Sequence, residues 1–165
     1  MSMRDIVLNI NNTNYELKVS TMASLADVLR EEIGLTGTKI MCNEGECGAC
    51  TVIMDGKPAL SCMMLAVDCE GREILTIEGL ADTINGKLHP LQEVFIKKSG
   101  MQCGVCTPGM ILTAKSLLEE NPDPTEDDIR NGLSGNLCRC GNYQRITECV
   151  FDAARIMRAG GGDGE

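Results

Sequence analysis

Eight of the ten cysteines fall into two sets of four whose spacing suits a metal cofactor. Cys42, Cys47, Cys50 and Cys62 read C-x4-C-x2-C, with the fourth cysteine after eleven intervening residues. The C-x4-C-x2-C run is the plant-type 2Fe-2S ligand pattern. In the second set a C-x2-C pair, Cys103 and Cys106, is answered by a C-x-C pair, Cys138 and Cys140. Thiolates are soft, electron-rich ligands, and two four-thiolate sites in a chain of 165 residues point to an electron carrier.

Two other uses of so many cysteines have to be weighed. A disulfide scaffold goes with secreted chains, and the opening Met1-Ser-Met-Arg-Asp-Ile lacks the apolar run of a signal peptide. Zinc is the more serious rival, because it accepts tetrahedral thiolates at similar short spacings. Spacing leaves zinc open at Cys103, Cys106, Cys138 and Cys140, and disfavours it at the first set.

The composition narrows the partners. Lys and Arg number 15 against 24 Asp and Glu, a formal charge of −9, and thiolate clusters add to it. Such a chain repels phosphate backbones, so nucleic acid is not an expected partner. No stretch approaches the length of a membrane helix, so no membrane association is expected. The expected setting is soluble, reducing and cytoplasmic. With two Phe, two Tyr and no Trp, neither half can build a core on large aromatics, and small cores of this kind need a staple such as a metal site.

The elements that position the cysteines can be read from periodicity. Ile6–Ile10 and Tyr15–Val19 alternate on either side of a polar Asn11–Asn14 stretch, which suits a hairpin. A helix follows, with Ser24 and Asp27 as a capping pair, Leu25, Val28 and Leu29 on one face, and Gly34 as its stop. Gly45 and Gly48 allow the Cys42–Cys50 segment to curl with its N–H groups toward sulfur. Thr51–Met54, the Asp55-Gly56 turn and Lys57–Leu60 make a second hairpin leading into Cys62, and Glu73–Ile77 adds a last strand.

Glu78 to His89 is polar and contains Asp82, Asn85 and Gly86, which places a linker there. Beyond it the period becomes helical. Pro108 opens a helix with Met110, Ile111, Ala114, Leu117 and Leu118 as its apolar face, and Asn121-Pro-Asp-Pro ends it. Thr125 and Asp128 box the start of the next, and a final helix buries Ile146, Cys149, Val150, Ala153 and Met157. The expected organisation is a cluster-binding domain over residues 1–80, a helical one over 81–158, and a flexible tail over 159–165.

The remaining reactive residues have structural readings. Cys69 is expected to be a surface or half-buried thiol, Cys149 to lie on an apolar helical stripe, and the methionines, among them Met63, Met64, Met101 and Met110, to act as gap fillers in the core. His89, before Pro90, suits a helix cap. A Rieske centre would need two histidines, and the chain has one. Glu119, Glu120, Glu126, Asp127 and Asp128 suit a solvated helical surface. No paired nucleophile and base and no phosphate loop is present.

Three segments together carry a resemblance: Cys42-x-Glu-Gly-Glu-Cys-Gly-Ala-Cys-Thr-Val, then Gln102-Cys-Gly-x-Cys-Thr-Pro-Gly-Met, then Leu133-Ser-Gly-Asn-Leu-Cys-Arg-Cys. Over roughly residues 4 to 158 the chain resembles the iron–sulfur small subunit of the molybdenum hydroxylases, the xanthine dehydrogenase family. The resemblance implies an α+β chain: an N-terminal β-grasp, ferredoxin-like 2Fe-2S domain followed by an all-α four-helix 2Fe-2S domain. It assigns Cys42, Cys47, Cys50 and Cys62 to one cluster and Cys103, Cys106, Cys138 and Cys140 to the other, and so favours iron–sulfur over zinc at both.

It also implies that Gln102 hydrogen-bonds the pterin of a molybdopterin-type cofactor held by a large partner subunit, and that Cys140 is the ligand nearest that pterin. The first cluster would lie nearer FAD on a third chain, in a hetero-oligomer such as a dimer of heterotrimers. The chain itself would have no catalytic residue. The Glu-Gly-Glu-Cys-Gly-Ala-Cys wording leans toward purine or xanthine enzymes, with hydroxybenzoyl-CoA reductase and nicotinate dehydrogenase as close rivals. The rivals from other classes are a zinc-stabilised interaction module and a stand-alone shuttle. Three departures stand out: Met41 where glycine is usual, Val105 where an aromatic is usual, and Gly141-Asn142 in place of Thr-Gly.

Overall fold

The computed structural model describes residues 2–81 and 85–160. Strands β1 (Met3–Ile10) and β2 (Thr13–Ser20) form an antiparallel hairpin with Ile10 opposite Thr13. The strands run further toward the turn than alternation suggested. Asn11 and Asn12 alone make it, at φ 52° and 61°, which asparagine tolerates better than most residues. Ile6, Leu8 and Ile10 point inward and are buried.

Helix α1 (Leu25–Asp27) is capped as expected, Ser24 Oγ accepting from the Asp27 N–H at 3.1 Å. It then widens into a π-helical turn over Val28–Glu32, closed by Ile33 N–H to Val28 O at 3.1 Å. Gly34 ends it at φ 85°. Strands β3 (Thr51–Met54) and β4 (Lys57–Leu60) pair across Asp55 and Gly56, both at positive φ. Strand β5 (Glu73–Leu75) lies parallel to β1 and antiparallel to β3, completing a sheet in the order β2-β1-β5-β3-β4. It is shorter than expected. Thr76 turns inward, its N–H donating to Asn11 Oδ1 at 2.9 Å and its hydroxyl to Glu78, and a 3-10 turn follows over Ile77–Gly79.

Four helices make the second half: α2 (Pro90–Lys97), α3 (Thr107–Glu120), α4 (Glu126–Gly132) and α5 (Tyr143–Gly160). Both expected caps are present. His89 Nδ1 accepts from Leu91 N–H at 3.2 Å, and Thr125 and Asp128 exchange hydrogen bonds around the start of α4. Leu91, Phe95, Met110, Leu112, Ile129, Ile146 and Val150 fill the helical core.

Strand β3 is buried on both faces, because its side chains alternate between two cores. Val52 and Met54 join the sheet-and-α1 core, and Ile53 joins the helical core beneath α3. The two halves therefore share a wall.

Two expectations about minor residues are corrected. Cys69 is fully buried, its thiol donating to Leu65 O at 3.3 Å. Met63 and Met101 are exposed rather than core-filling, as are Met22 and Met41, whereas Met54 and Met110 do fill the core. Asp82 of the expected linker and residues 161–165 of the expected tail lie outside the described residues.

Candidate electron-transfer centre

The first set sits on a loop whose backbone is bent by necessity. Asn43, Gly45 and Gly48 have φ of 58°, 82° and 69°, and this curls the chain so that Glu44 N–H donates to Cys42 Sγ at 3.4 Å. That bond, with the Cys47 thiol second, lowers the Cys42 thiol to about 6. Cys62 arrives from the end of β4, where burial and then the Cys50 thiol push it up to about 11. Cys47 and Cys50 are buried, while Cys42 and Cys62 are half-exposed.

The second set repeats this pattern on helical supports. Cys106 precedes α3, Cys103 lies three residues before it, and Cys138 and Cys140 occupy the loop between α4 and α5. Cys103 is lowered by the Val105 N–H and then by the Cys140 thiol. At Cys140 the Cys103 N–H pulls downward, but the Cys103 thiol and burial outweigh it and the net shift is upward. Cys106 is pushed up to about 12 by burial and then by Cys138. Cys106 and Cys138 are buried, Cys103 and Cys140 exposed.

Within each set the strongest thiol–thiol influences on titration run between Cys42 and Cys47 and between Cys50 and Cys62, then between Cys103 and Cys140 and between Cys106 and Cys138, with further effects of Cys42 on Cys62, Cys103 on Cys106 and Cys138 on Cys140. A tetrahedral zinc needs four ligands around one centre, whereas a 2Fe-2S cluster takes two cysteines on each of two irons. Four thiols in each set supply the soft ligands that such a cluster takes.

Where the sets meet, the chain is tightly locked. Leu137 N–H donates to Cys47 O at 2.9 Å, placing the residue before Cys138 against a residue of the first set. Asn136, 4% exposed, donates through Nδ2 to Gly48 O at 3.0 Å. A Cβ on Gly109, in the first turn of α3, would come within 2.3 Å of Gly48 O. Cys138 N–H donates to the Tyr143 hydroxyl at 2.8 Å. Sequence reasoning gave Asn136 and Tyr143 no role. Both lie in or beside the third motif, but only the fold brings residue 136 to residue 48.

Gln102 is exposed beside Cys103, its Nε2 donating to Asn142 Oδ1 at 3.5 Å. The turn after Cys140 takes its left-handed residue at Gly141, φ 72°, so Asn142 does not adopt that conformation. A surface groove of about 430 Å³ lies between α2 and α5 and is lined by no residue of either cysteine set. No helix of the structure is long and apolar enough to cross a membrane, among the described residues.

Residues 6–99 match a family described as a 2Fe-2S iron-sulfur cluster binding domain, and residues 76–151 match a 2Fe-2S binding domain. The nicotinate dehydrogenase small FeS subunit of Eubacterium barkeri is 48% identical over 91% of this chain and 94% of that protein. The chain belongs to the iron–sulfur small subunits of the molybdenum hydroxylases. As such a subunit it binds two 2Fe-2S clusters and serves electron transfer within an oxidoreductase complex.

Its β-grasp and four-helix architecture is that of the family. The quinoline 2-oxidoreductase from Pseudomonas putida 86 superposes with a TM-score of 0.90 at 46% identity, over 96% of this chain and 98% of that one. The aldehyde oxidoreductase of Megalodesulfovibrio gigas is 42% identical over 92% of this chain, which spans 17% of that protein. There the small-subunit sequence is one part of a longer polypeptide.

Proposed function

We propose that Cys42, Cys47, Cys50 and Cys62 hold one 2Fe-2S cluster and Cys103, Cys106, Cys138 and Cys140 the other, in series between two partner chains. The observation that carries this reading is the direction of burial. In each set two cysteines are buried, Cys47 and Cys50 or Cys106 and Cys138, and Cys47 and Cys138 lie in the segments joined by the Cys47 O to Leu137 N–H bond, while Cys42 and Cys62 are half-exposed and Cys103 and Cys140 exposed. The sets are back to back, and each keeps an open side.

The second set's open side carries Cys103, Cys140 and Gln102, all exposed. The Gln102 amide, steadied by Asn142, is suited to donate to and accept from a polar heterocycle, which supports a pterin of the molybdenum cofactor in a large partner subunit as its neighbour. The open side of the first set would then face a FAD-binding subunit, in a cytoplasmic hetero-oligomer. When bound, each cluster supplies a one-electron couple, so two in series divide a two-electron oxidation into single steps. The residues of this chain hold the thiolates, keep water from the joint through Asn136, Gly48 and Gly109, and offer N–H groups to sulfur. None of them is a catalytic acid, base or nucleophile.

Substrate choice lies with the large subunit. Relatives named for nicotinate, xanthine and caffeine are 48%, 44% and 46% identical to this chain, a spread too narrow to favour the purine wording of the first motif. The test is Cys103→Ser or Cys140→Ser in the intact complex. Substrate oxidation at molybdenum should persist for a single turnover while acceptor reduction is lost; full steady-state turnover overturns the reading.

A further inference from the structure

Among the described residues most buried hydroxyls have a partner. Thr51 Oγ1 donates to Gly48 O at 2.7 Å, Ser61 Oγ to Cys50 O at 2.7 Å, and Thr147 Oγ1 to Tyr143 O at 2.9 Å. Among the described residues two buried side-chain oxygens lack a partner, Thr38 Oγ1 and Thr107 Oγ1. Leaving a buried hydroxyl without a partner is unfavourable, so such an atom calls for an acceptor.

Thr107 is the more telling. It directly follows the buried Cys106 and is itself 8% exposed. As the first residue of α3 it has the usual intrahelical outlet for a threonine hydroxyl closed to it. Thr147 donates to the carbonyl four residues back; for Thr107 that carbonyl belongs to Cys103, and the bond is not made. Nor does the side chain cap the helix, since Cys106 holds the cap position and no side-chain cap bond is present there. Its neighbour in sequence is the buried Cys106. Cys106 and Cys138 are both buried and interact with each other, and the N-terminal end of α3, fourteen residues long, favours negative charge at this place.

We propose that the Thr107 hydroxyl donates a hydrogen bond to sulfur of the cluster held by Cys103, Cys106, Cys138 and Cys140, and so raises the reduction potential of that cluster. The inference rests on the assignment of those four cysteines given above. Donation to sulfur stabilises the more negative, reduced state, so removing the donor lowers the potential. Thr107 acts by positioning its O–H and takes no part in bond making.

The experiment is an anaerobic redox titration of the holo-complex followed by electron paramagnetic resonance, comparing wild type, Thr107→Val, Thr107→Ser and Thr38→Val. Valine keeps the shape and removes the donor. At the wild-type midpoint of the second cluster, Thr107→Val should shift the oxidised-to-reduced ratio by about threefold to tenfold toward oxidised, tenfold being about 59 mV for one electron. The first cluster should stay in place, Thr107→Ser should restore the midpoint, and Thr38→Val should leave the second cluster unmoved.

A second readout does not depend on the valine variant loading well. Brief exposure of the wild-type complex to D2O should give the second cluster a fast-exchanging deuteron coupling from the hydroxyl, before the amides of α3 exchange. An unmoved midpoint in fully loaded Thr107→Val, or no fast deuteron in wild type, overturns the inference. Failure of the underlying assignment looks different, because wild type would then lack a second cluster signal altogether.

Discussion

Replacing Asn136 with alanine would test whether the two cysteine sets share one rigid joint. The side chain is buried, and its Nδ2 reaches 88 residues back to Gly48 O at 3.0 Å and approaches Thr51 Oγ1 at 3.5 Å. Alanine removes one buried hydrogen bond, worth about 1 kcal/mol net, and leaves a space that costs about as much again. Gly48 O keeps its bonds from Thr51, so no further orphan is created. The sum is about 2 kcal/mol, or a fall in Tm of about 4–8 °C for a chain of this size.

Asn136→Asp goes further at neutral pH, by about 3–5 kcal/mol, because a buried carboxylate would face Gly48 O without a donor. Burial there raises the carboxyl pKa, so the folded state binds the proton more tightly than the unfolded one. Stability of this variant is therefore recovered as pH falls and the protonated group donates again. The assay is anaerobic thermal unfolding of the loaded protein, followed by far-ultraviolet circular dichroism and by the visible cluster bands. Alanine within about 1 °C of wild type, or an aspartate variant insensitive to pH, would refute the joint as described.

Other outcomes follow from the same geometry. Gly109→Ala drives a Cβ to 2.3 Å from the Gly48 carbonyl and should cost about 1–3 kcal/mol with reduced iron at both sites, while Gly135→Ala, which meets nothing within 4 Å, should load normally. In the iron-free chain at pH 7, mass-resolved alkylation should find Cys42 among the first thiols modified, since its thiol sits at about 6. Cys69 and Cys149, buried and pushed up to about 11, should react only on unfolding. Burial, then Lys115, holds the His89 imidazole below its usual range, and the neutral ring accepts from Leu91 N–H. The unfolded chain protonates first as pH falls, so this cap contributes above about pH 6.5 and is lost on acidification. The protection factor of the Leu91 amide, taken against its intrinsic exchange rate, should therefore fall below that pH, and His89→Asn should flatten the dependence.

Much of this was legible in the sequence because the informative signals are local. Cysteine spacing separates two sets without any fold, the Ser24–Asp27 and Thr125–Asp128 pairs mark helix starts through bonds that span three residues, and Asp55-Gly56 declares its turn by the φ it must adopt. What escaped is what only chain crossing creates. The hairpin read at Thr51–Met54 does not announce that α3 covers the second face of β3, so that both faces become core. Asn136 looks like a loop residue until Gly48 is placed beside it, and Thr107 looks like an ordinary helix start until its hydroxyl is found without a partner. Cys69 was misplaced because no local pattern distinguishes a buried thiol in a short 3-10 turn from an exposed one. The exposed methionines had no periodic element to declare their side.

The central claim, two 2Fe-2S clusters on the two cysteine sets, is tested most directly by metal content and electron paramagnetic resonance on the anaerobically purified protein and its Cys138→Ser variant. The account predicts about four irons per chain with two distinct reduced-state signals in wild type, and about two irons with one signal lost in the variant. Zinc at either set, or a wild-type chain that takes up no more than about two irons after full reconstitution, would contradict it.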